Sequence, residues 1–182
     1  MYSPIARSVF AAAALLALGA CASSRSLDAS LTDLGGDAQL KTALFTDRSH
    51  DYSDVDITLF EGRLLLTGTM HTEDGRDKLM ANAWKAAGAE QVIDEIFIGD
   101  QTPFLQGVED VRIDQMLRAR LIAAGDVTSA RYKIAVSNGV VYLIGAARDQ
   151  AELDRTLRIA SSISGAEKVV NHVKLRAPGD AQ

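Results

Sequence analysis

Apolar residues in this chain fall into short helical or alternating runs, and the same succession of runs occurs twice. In the second half, Ile113, Leu117, Leu121 and Ala124 recur at helical spacing behind Asp110, which the pattern predicts as a helix N-cap. Two apolar runs, Tyr132–Ser137 and Val140–Gly145, then flank Asn138-Gly139, a pair that favours a type I′ hairpin turn. Asp149 and Glu152 have capping-box spacing, and Leu153, Leu157 and Ala160 line one face of the helix they open. Gly165 stands where a left-handed residue ends that helix, and Val169–Leu175 reads as a closing strand. The first half follows the same plan with weaker signals. Asp37, Leu40 and Leu44 begin a helix that polar residues from Thr46 to Asp54 cut short. Glu61-Gly62 is the expected turn, followed at once by Leu64-Leu65-Leu66. Thr72 takes the cap position, Leu79, Ala83 and Ala87 form the stripe, Gly88 ends the helix, and Val92–Ile98 is the last strand. The expected fold is α+β: two tandem α-β-β-α-β modules, each laying two helices on one face of a three-stranded mixed sheet.

The two halves are also related residue by residue. Val55 to Ile98 aligns with Tyr132 to Leu175 at an offset of 77, and ten of the 44 positions are identical. Glycines and aliphatics dominate the matches (Gly62/Gly139, Leu66/Leu143, Gly68/Gly145), and Gly-Ala-Glu-x-Val repeats without a gap. Glycines set special torsions and aliphatics fill cores, so the shared pattern records a backbone rather than a chemistry.

The start of the chain reads as a secretion signal over residues 1–20, with Arg7 before the apolar run Val9 to Leu18. Ten apolar residues fall short of a bilayer core of roughly 30 Å, so no permanent membrane helix is expected. Leu18-Gly19-Ala20-Cys21 resembles the bacterial lipobox, whose cysteine is lipidated, and Cys21 is the only cysteine in the chain. That resemblance implies acylation at Cys21, and Ala22 after it fits retention at the outer membrane. Residues 21–36 are expected to be a flexible tether and 178–182 a disordered tail, with modules at 37–103 and 104–177.

Charge separates the modules. Residues 37–103 carry 13 acidic and six basic side chains, a net of −7; residues 104–177 carry eight and 11, a net of +3. A basic module is drawn to anionic lipid by about 1 kcal/mol per surface Lys or Arg, and an acidic one is repelled. Catalysis has little support. His50, His71 and His172 are scattered, no pair has metal-ligand spacing, and Gly35-Gly36 lacks the Lys of a phosphate loop. His172 aligns with Glu95 and is expected to be an ordinary sheet side chain. No enzyme, cofactor, metal site or nucleic-acid partner is expected.

The phrase Val136-Ser137-Asn138-Gly139-Val140-Val141-Tyr142-Leu143-Ile144-Gly145 and the closing Gly165-Ala166-Glu167-Lys168-Val169-Val170-Asn171-His172-Val173 resemble the BON domain. The resemblance spans about residues 37–176 and is specific in the second copy; the first departs in Glu61, Arg63 and a shorter first helix. BON domains occur in osmotic-shock proteins and, in tandem behind a lipobox, in outer-membrane lipoproteins. For this chain the resemblance implies a non-enzymatic protein at the periplasmic face of the outer membrane. Its second domain would meet anionic phospholipid and support envelope integrity, with outer-membrane assembly proteins as partners; the alternative is a structural adaptor that docks an envelope protein or the cell wall rather than lipid.

Three surfaces are candidates for contact. With Ile113, Leu117 and Leu121 facing the core, the far side of that helix holds Val111, Gln115, Ala119 and Ile122, flanked by Arg112 and Arg118. Val111, Arg112, Arg118 and Ile122 are the expected phospholipid contacts, although an exposed apolar patch equally marks a protein contact. Arg120 lies nearer the core edge. On the second hairpin strand, Val140, Tyr142 and Ile144 look away from the helices yet are apolar, so they are expected to pack on the first module or a partner. Trp84, aligned with Ser161, is expected in the core.

Overall fold

The computed structural model describes residue 42 and residues 49–85 and 89–177. Cys21, the tether, the helix opened by Asp37, Leu40 and Leu44, and the positions Ala87 and Gly88 lie outside the described residues. Strands β1 (Val55–Phe60), β2 (Arg63–Met70) and β3 (Gln91–Ile98) form one sheet, with helix α1 (Glu73–Lys85) between β2 and β3. Helix α2 (Phe104–Ala123) precedes a second sheet of β4 (Tyr132–Ser137), β5 (Val140–Ala147) and β6 (Lys168–Leu175), with α3 (Gln150–Ser161) between β5 and β6. In each sheet the first pair is antiparallel and the second parallel, so the middle strand is the second in sequence.

Both hairpins turn through two residues of positive φ: Glu61 at 48° and Gly62 at 72°, Asn138 at 51° and Gly139 at 75°. These are the type I′ torsions that match the twist of the strands they join. The repeated glutamates complete the turns, because Glu90 N donates to Gly62 O at 2.8 Å and Glu167 N to Gly139 O at 2.9 Å. The other repeated glycines permit a close crossing. A Cβ on Gly68 would lie 1.9 Å from Asp54 O, and one on Gly145 would lie 2.3 Å from Arg131 O.

Cap chemistry places the helices. Thr72 Oγ1 accepts from Gly75 N at 3.2 Å at the start of α1, and Asp149 Oδ1 accepts from Glu152 N at 2.8 Å at the start of α3. Glu152 departs from its expected capping-box role. Its buried carboxylate takes Arg148 N and Thr128 N, both at 2.7 Å, and so ties the helix start to the loop before β4. Burial pushes the Glu152 carboxyl up, but those N–H groups and the Arg148 charge outweigh it and hold it below its ordinary value. Gly165 is not the residue that ends α3. The helix stops at Ser161, and Gly165 (φ 92°) sits farther on, where a Cβ would come 2.6 Å from Glu109 Oε1 on α2.

Three apolar layers hold the molecule. Ile113, Leu117, Leu121, Val141, Leu143 and Leu153 fill the space between the second sheet and its two helices. Leu64, Leu66, Leu79, Ala83 and Ile96 do the same beneath α1. The third layer lies between the sheets: Phe60, Leu65 and Ile93 of module one meet Ala135, Tyr142, Ile144 and Ala146 of module two, with Val140 packed against them. The helix-free faces therefore stand back to back, and each sheet is buried on both sides. Arg63 is a polar intruder on this face. It is buried, burial holds its guanidinium below the ordinary value, and Nε donates to Gln91 Oε1 at 3.0 Å.

Polar contacts cross the same plane. Lys133 Nζ donates to Leu59 O, and Asn138 Nδ2 donates to Thr69 Oγ1 at 3.1 Å. His172 Nε2 and Glu95 Oε1 stand 2.8 Å apart, both partly buried. His172 is thus a cross-module link rather than an ordinary sheet side chain. Glu95 and His172 are also equivalent positions of the repeat, and self-meeting of equivalents is the mark of a two-fold relation between modules.

Candidate functional site

Helix α2 carries most of the exposed large apolar residues among the described residues. Its buried side carries Ile113, Leu117 and Leu121 as expected. Its start does not match expectation. Pro103, with φ fixed at −57°, is the N-cap, and the helix begins at Phe104, six residues before Asp110. Thr102 anchors this start, donating from N and Oγ1 to Asp54 Oδ2 at 3.0 and 2.7 Å.

Asp110 sits inside the helix, almost fully buried, and serves the neighbouring hairpin. Its carboxylate accepts from Asn138 N at 2.7 Å, Gly139 N at 2.9 Å and Gln106 Nε2 at 2.9 Å. An I′ turn leaves such N–H groups unpaired by the ladder, and burying them without an acceptor costs about 1–3 kcal/mol each. Asp110 is therefore a lock between α2 and the β4–β5 turn.

The additional turns lengthen the outer apolar stripe. Phe104 is 83% exposed, Leu105 79% and Ile122 72%, and Val108 and Val111 are each more than half exposed. At about 100° per residue, Phe104, Val108, Val111 and Ile122 share one side of the cylinder, opposite Ile113 and Leu117. A helix apolar on two opposite sides, with only one buried, has an unmet face.

The arginines beside that stripe are already engaged. Arg112 donates Nε to Glu109 Oε2 at 2.9 Å, Nη2 to Ser164 O at 2.9 Å and Nη1 to Met116 Sδ at 2.9 Å, and its Nη2 also meets Glu109 Oε1. This pairing raises the Arg112 pKa and lowers that of Glu109. Arg118 grips Asp114 through Nε at 2.7 Å and Nη2 at 2.8 Å, and donates to Ile134 O at 3.0 Å. Arg120 donates Nη1 to Ser162 Oγ at 3.1 Å. Three acids (Glu109, Asp110, Asp114) match three arginines (Arg112, Arg118, Arg120) within α2, so the helix is neutral and the module's excess positive charge lies elsewhere.

The remaining sequence candidates are placed as follows. Tyr142 and Ile144 are buried in the layer between the sheets, and Val140 is partly buried against it. Burial, and then the nearby Glu95 charge, raise the Tyr142 pKa. Trp84 is not in the core: it is 57% exposed on α1, one position beyond buried Ala83. Among the described residues no group of three or more His, Cys, Asp or Glu is placed to hold a metal ion, and no helix is long and apolar enough to cross a membrane.

Comparison with known proteins agrees with the geometry. The BON domain family model matches residues 36–100 and again 109–177. A protein of the gshII 5′ region of Anaplasma centrale is 32% identical over 126 residues, covering 69% of this chain and 83% of that protein. The outer membrane lipoprotein DolP of Haemophilus influenzae is 28% identical over 120 residues, 66% of this chain and 62% of that protein. The osmotically-inducible protein Y of Escherichia coli is 25% identical over 141 residues, 76% of this chain and 70% of that one.

Proposed function

The chain belongs to the BON domain family, and from that premise we propose that it is an envelope protein, anchored at the periplasmic face of the outer membrane through Cys21, whose second module touches anionic phospholipid with the outer side of α2. The observation that carries this reading is the exposed stripe from Phe104 to Ile122 on a helix whose other side is fully buried. The relatives' names, an outer membrane lipoprotein and an osmotically inducible protein, support the location and an envelope role.

The balance of forces differs from what composition suggests. Arg112 and Arg118 meet carboxylates of their own helix, so a headgroup phosphate would have to share or displace Glu109 and Asp114. Exposed pairs of this kind are worth about 0–1 kcal/mol, so exchange is cheap but gains little. Fully burying a Val, Ile, Leu or Phe side chain yields about 1.5–3 kcal/mol, and even partial insertion of Phe104, Val111 and Ile122 outweighs the arginine term. Insertion of the stripe would supply the affinity, and Arg112, Arg118 and Arg120 would set the preference for anionic lipid.

Co-sedimentation of the unlipidated protein with phosphatidylglycerol vesicles tests this. Ile122→Asp is expected to weaken binding at least tenfold, and Arg118→Glu only a few-fold with a stronger salt dependence. Equal binding by wild type and Ile122→Asp, or no binding to phosphatidylglycerol at low salt, would leave the stripe to a protein partner.

A further inference from the structure

The two modules meet as a two-fold pair of faces, and polar chemistry decides what else those faces accept. Glu95 and His172, equivalent in the repeat, stand 2.8 Å apart. Lys133 donates to Leu59 O across the plane, and its equivalent in module one is Asp56. If two copies of module one met in this way, Glu95 would oppose Glu95, and Asp56 would replace the lysine at the Leu59 carbonyl. Like charges set against each other reject the wrong partner. Two copies of module two would lose the carboxylate that His172 meets. Each face therefore selects the other kind of module, and nothing in the contact depends on that module belonging to the same chain.

The connection between the modules leaves that choice open. Only residues 99–103 join β3 to α2. Gln101 Nε2 donates to Asp51 Oδ2 at 2.7 Å and to Ser53 Oγ at 3.0 Å, and Thr102 is held by Asp54, so the chain up to Thr102 moves with module one. From Phe104 onward it is α2, packed through Ile113, Leu117 and Leu121 into module two. Pro103 is the junction. Its ring fixes φ, and a change in ψ there turns module two as one body without disturbing either anchor. Opening also relieves a defect of the closed interface. Arg63 Nη1 and Thr67 Oγ1, on one face of β2, are buried without a hydrogen-bond partner among the described residues, and both regain water when the faces part.

We propose that a second copy of this chain takes part in the same interface: two molecules exchange module two, so that module one of each packs on module two of the other. Every inter-module contact of the closed form is kept, and only the Pro103 junction changes. Concentration then sets the balance between closed monomer and exchanged dimer. A short linker holds its modules at an effective concentration of about millimolar, so the dimer is well populated near that value. None of Phe104, Val108, Val111 and Ile122 belongs to the exchanged layer. The inference therefore does not rest on the lipid reading, and the dimer presents two stripes in place of one.

The test begins with equal amounts of isotope-labelled and unlabelled wild-type protein, unlipidated, unfolded together and refolded at about 1 mM. A dimer is expected in sedimentation velocity, with isotope-filtered NOEs between Leu65 of one chain and Tyr142 of the other. A second measurement mixes two variants, Glu95→Lys and His172→Glu, at a concentration where wild type is monomeric. Each variant alone opposes like charges in its closed form. Exchange between them sets lysine against glutamate at one interface and keeps the Glu95–His172 pair at the other. The mixture should hold at least ten times as much dimer as either variant alone. A wild-type protein still monomeric at about 1 mM, a dimer without NOEs between Leu65 and Tyr142 of different chains, or a mixture no more dimeric than its components would overturn the proposal.

Discussion

Modules one and two use one chain path for different ends. Their shared residues lie where the backbone leaves no choice: a glycine in each I′ turn, a glycine where the preceding loop crosses the second strand, and a glutamate N–H closing on the turn. Their unshared residues include core pairs of different size, such as Leu65 and Tyr142, but the differences with consequences outside the molecule lie on surfaces. Module two places an apolar stripe on the outside of α2, whereas module one carries the acidic excess. Even the contact between them follows this division, since Glu95 and His172 occupy one position of the repeat and differ only so as to pair. Identity at these positions thus reports folding, and the difference between Glu95 and His172 reports contact.

Breaking the shared part should cost most. Gly68→Ala and Gly145→Ala each drive a Cβ into a main-chain carbonyl, and a loss of about 3 kcal/mol or more is expected from either in thermal unfolding. A small loss at one and a large loss at the other would mean that the crossings are not equivalent. Asp110→Ala strips the Asn138 and Gly139 N–H groups of their acceptor, and a loss of about 2–3 kcal/mol should appear in denaturant unfolding.

Acid should separate the two halves next. Because Glu152 is held below its ordinary pKa in the folded state, its contribution is present above the unfolded value of about 4.3 and is lost as pH falls through the folded value. Module two should therefore lose stability below about pH 4.3, followed by tryptophan-independent probes such as amide exchange. Glu152→Gln should flatten that dependence while lowering stability at neutral pH. The smallest effect concerns the weaker turn. Glu61 holds φ 48°, a region costly for a residue with a Cβ, so Glu61→Gly should stabilise module one by about 0.5–1 kcal/mol, whereas Asn138→Gly should change little.

Much of the architecture was legible because its signals are local. Asn138-Gly139, the Thr72 and Asp149 caps and the alternation around Tyr142 each need only a few residues to speak. The start of α2 was not. Asp110 has the chemistry of an N-cap, and nothing local distinguishes a carboxylate that caps its own helix from one that caps a distant turn. The repeat held a usable clue, since at the same offset Asp33 precedes Asp110, Leu40 precedes Leu117 and Leu44 precedes Leu121. Carrying the alignment upstream of Val55 makes Asp110 part of the scaffold. Without those extra turns, Phe104, Leu105 and Val108 were missed. The pairing of Arg112 and Arg118 was readable at i,i+3 and i,i+4 from Glu109 and Asp114, and it tempers the reading of the helix as a basic surface. Trp84 shows the limit of residue averages: a large apolar ring one position beyond buried Ala83 lands in solvent.

Whether the outer side of α2 enters the bilayer while module one stays clear of it is decided by depth-dependent quenching. Trp84 is the sole tryptophan and is exposed on module one. With phosphatidylglycerol vesicles carrying brominated acyl chains, Trp84 emission should be unquenched, and a Trp84→Phe, Ile122→Trp protein should be strongly quenched. Quenching of Trp84 with none at position 122 would contradict the account.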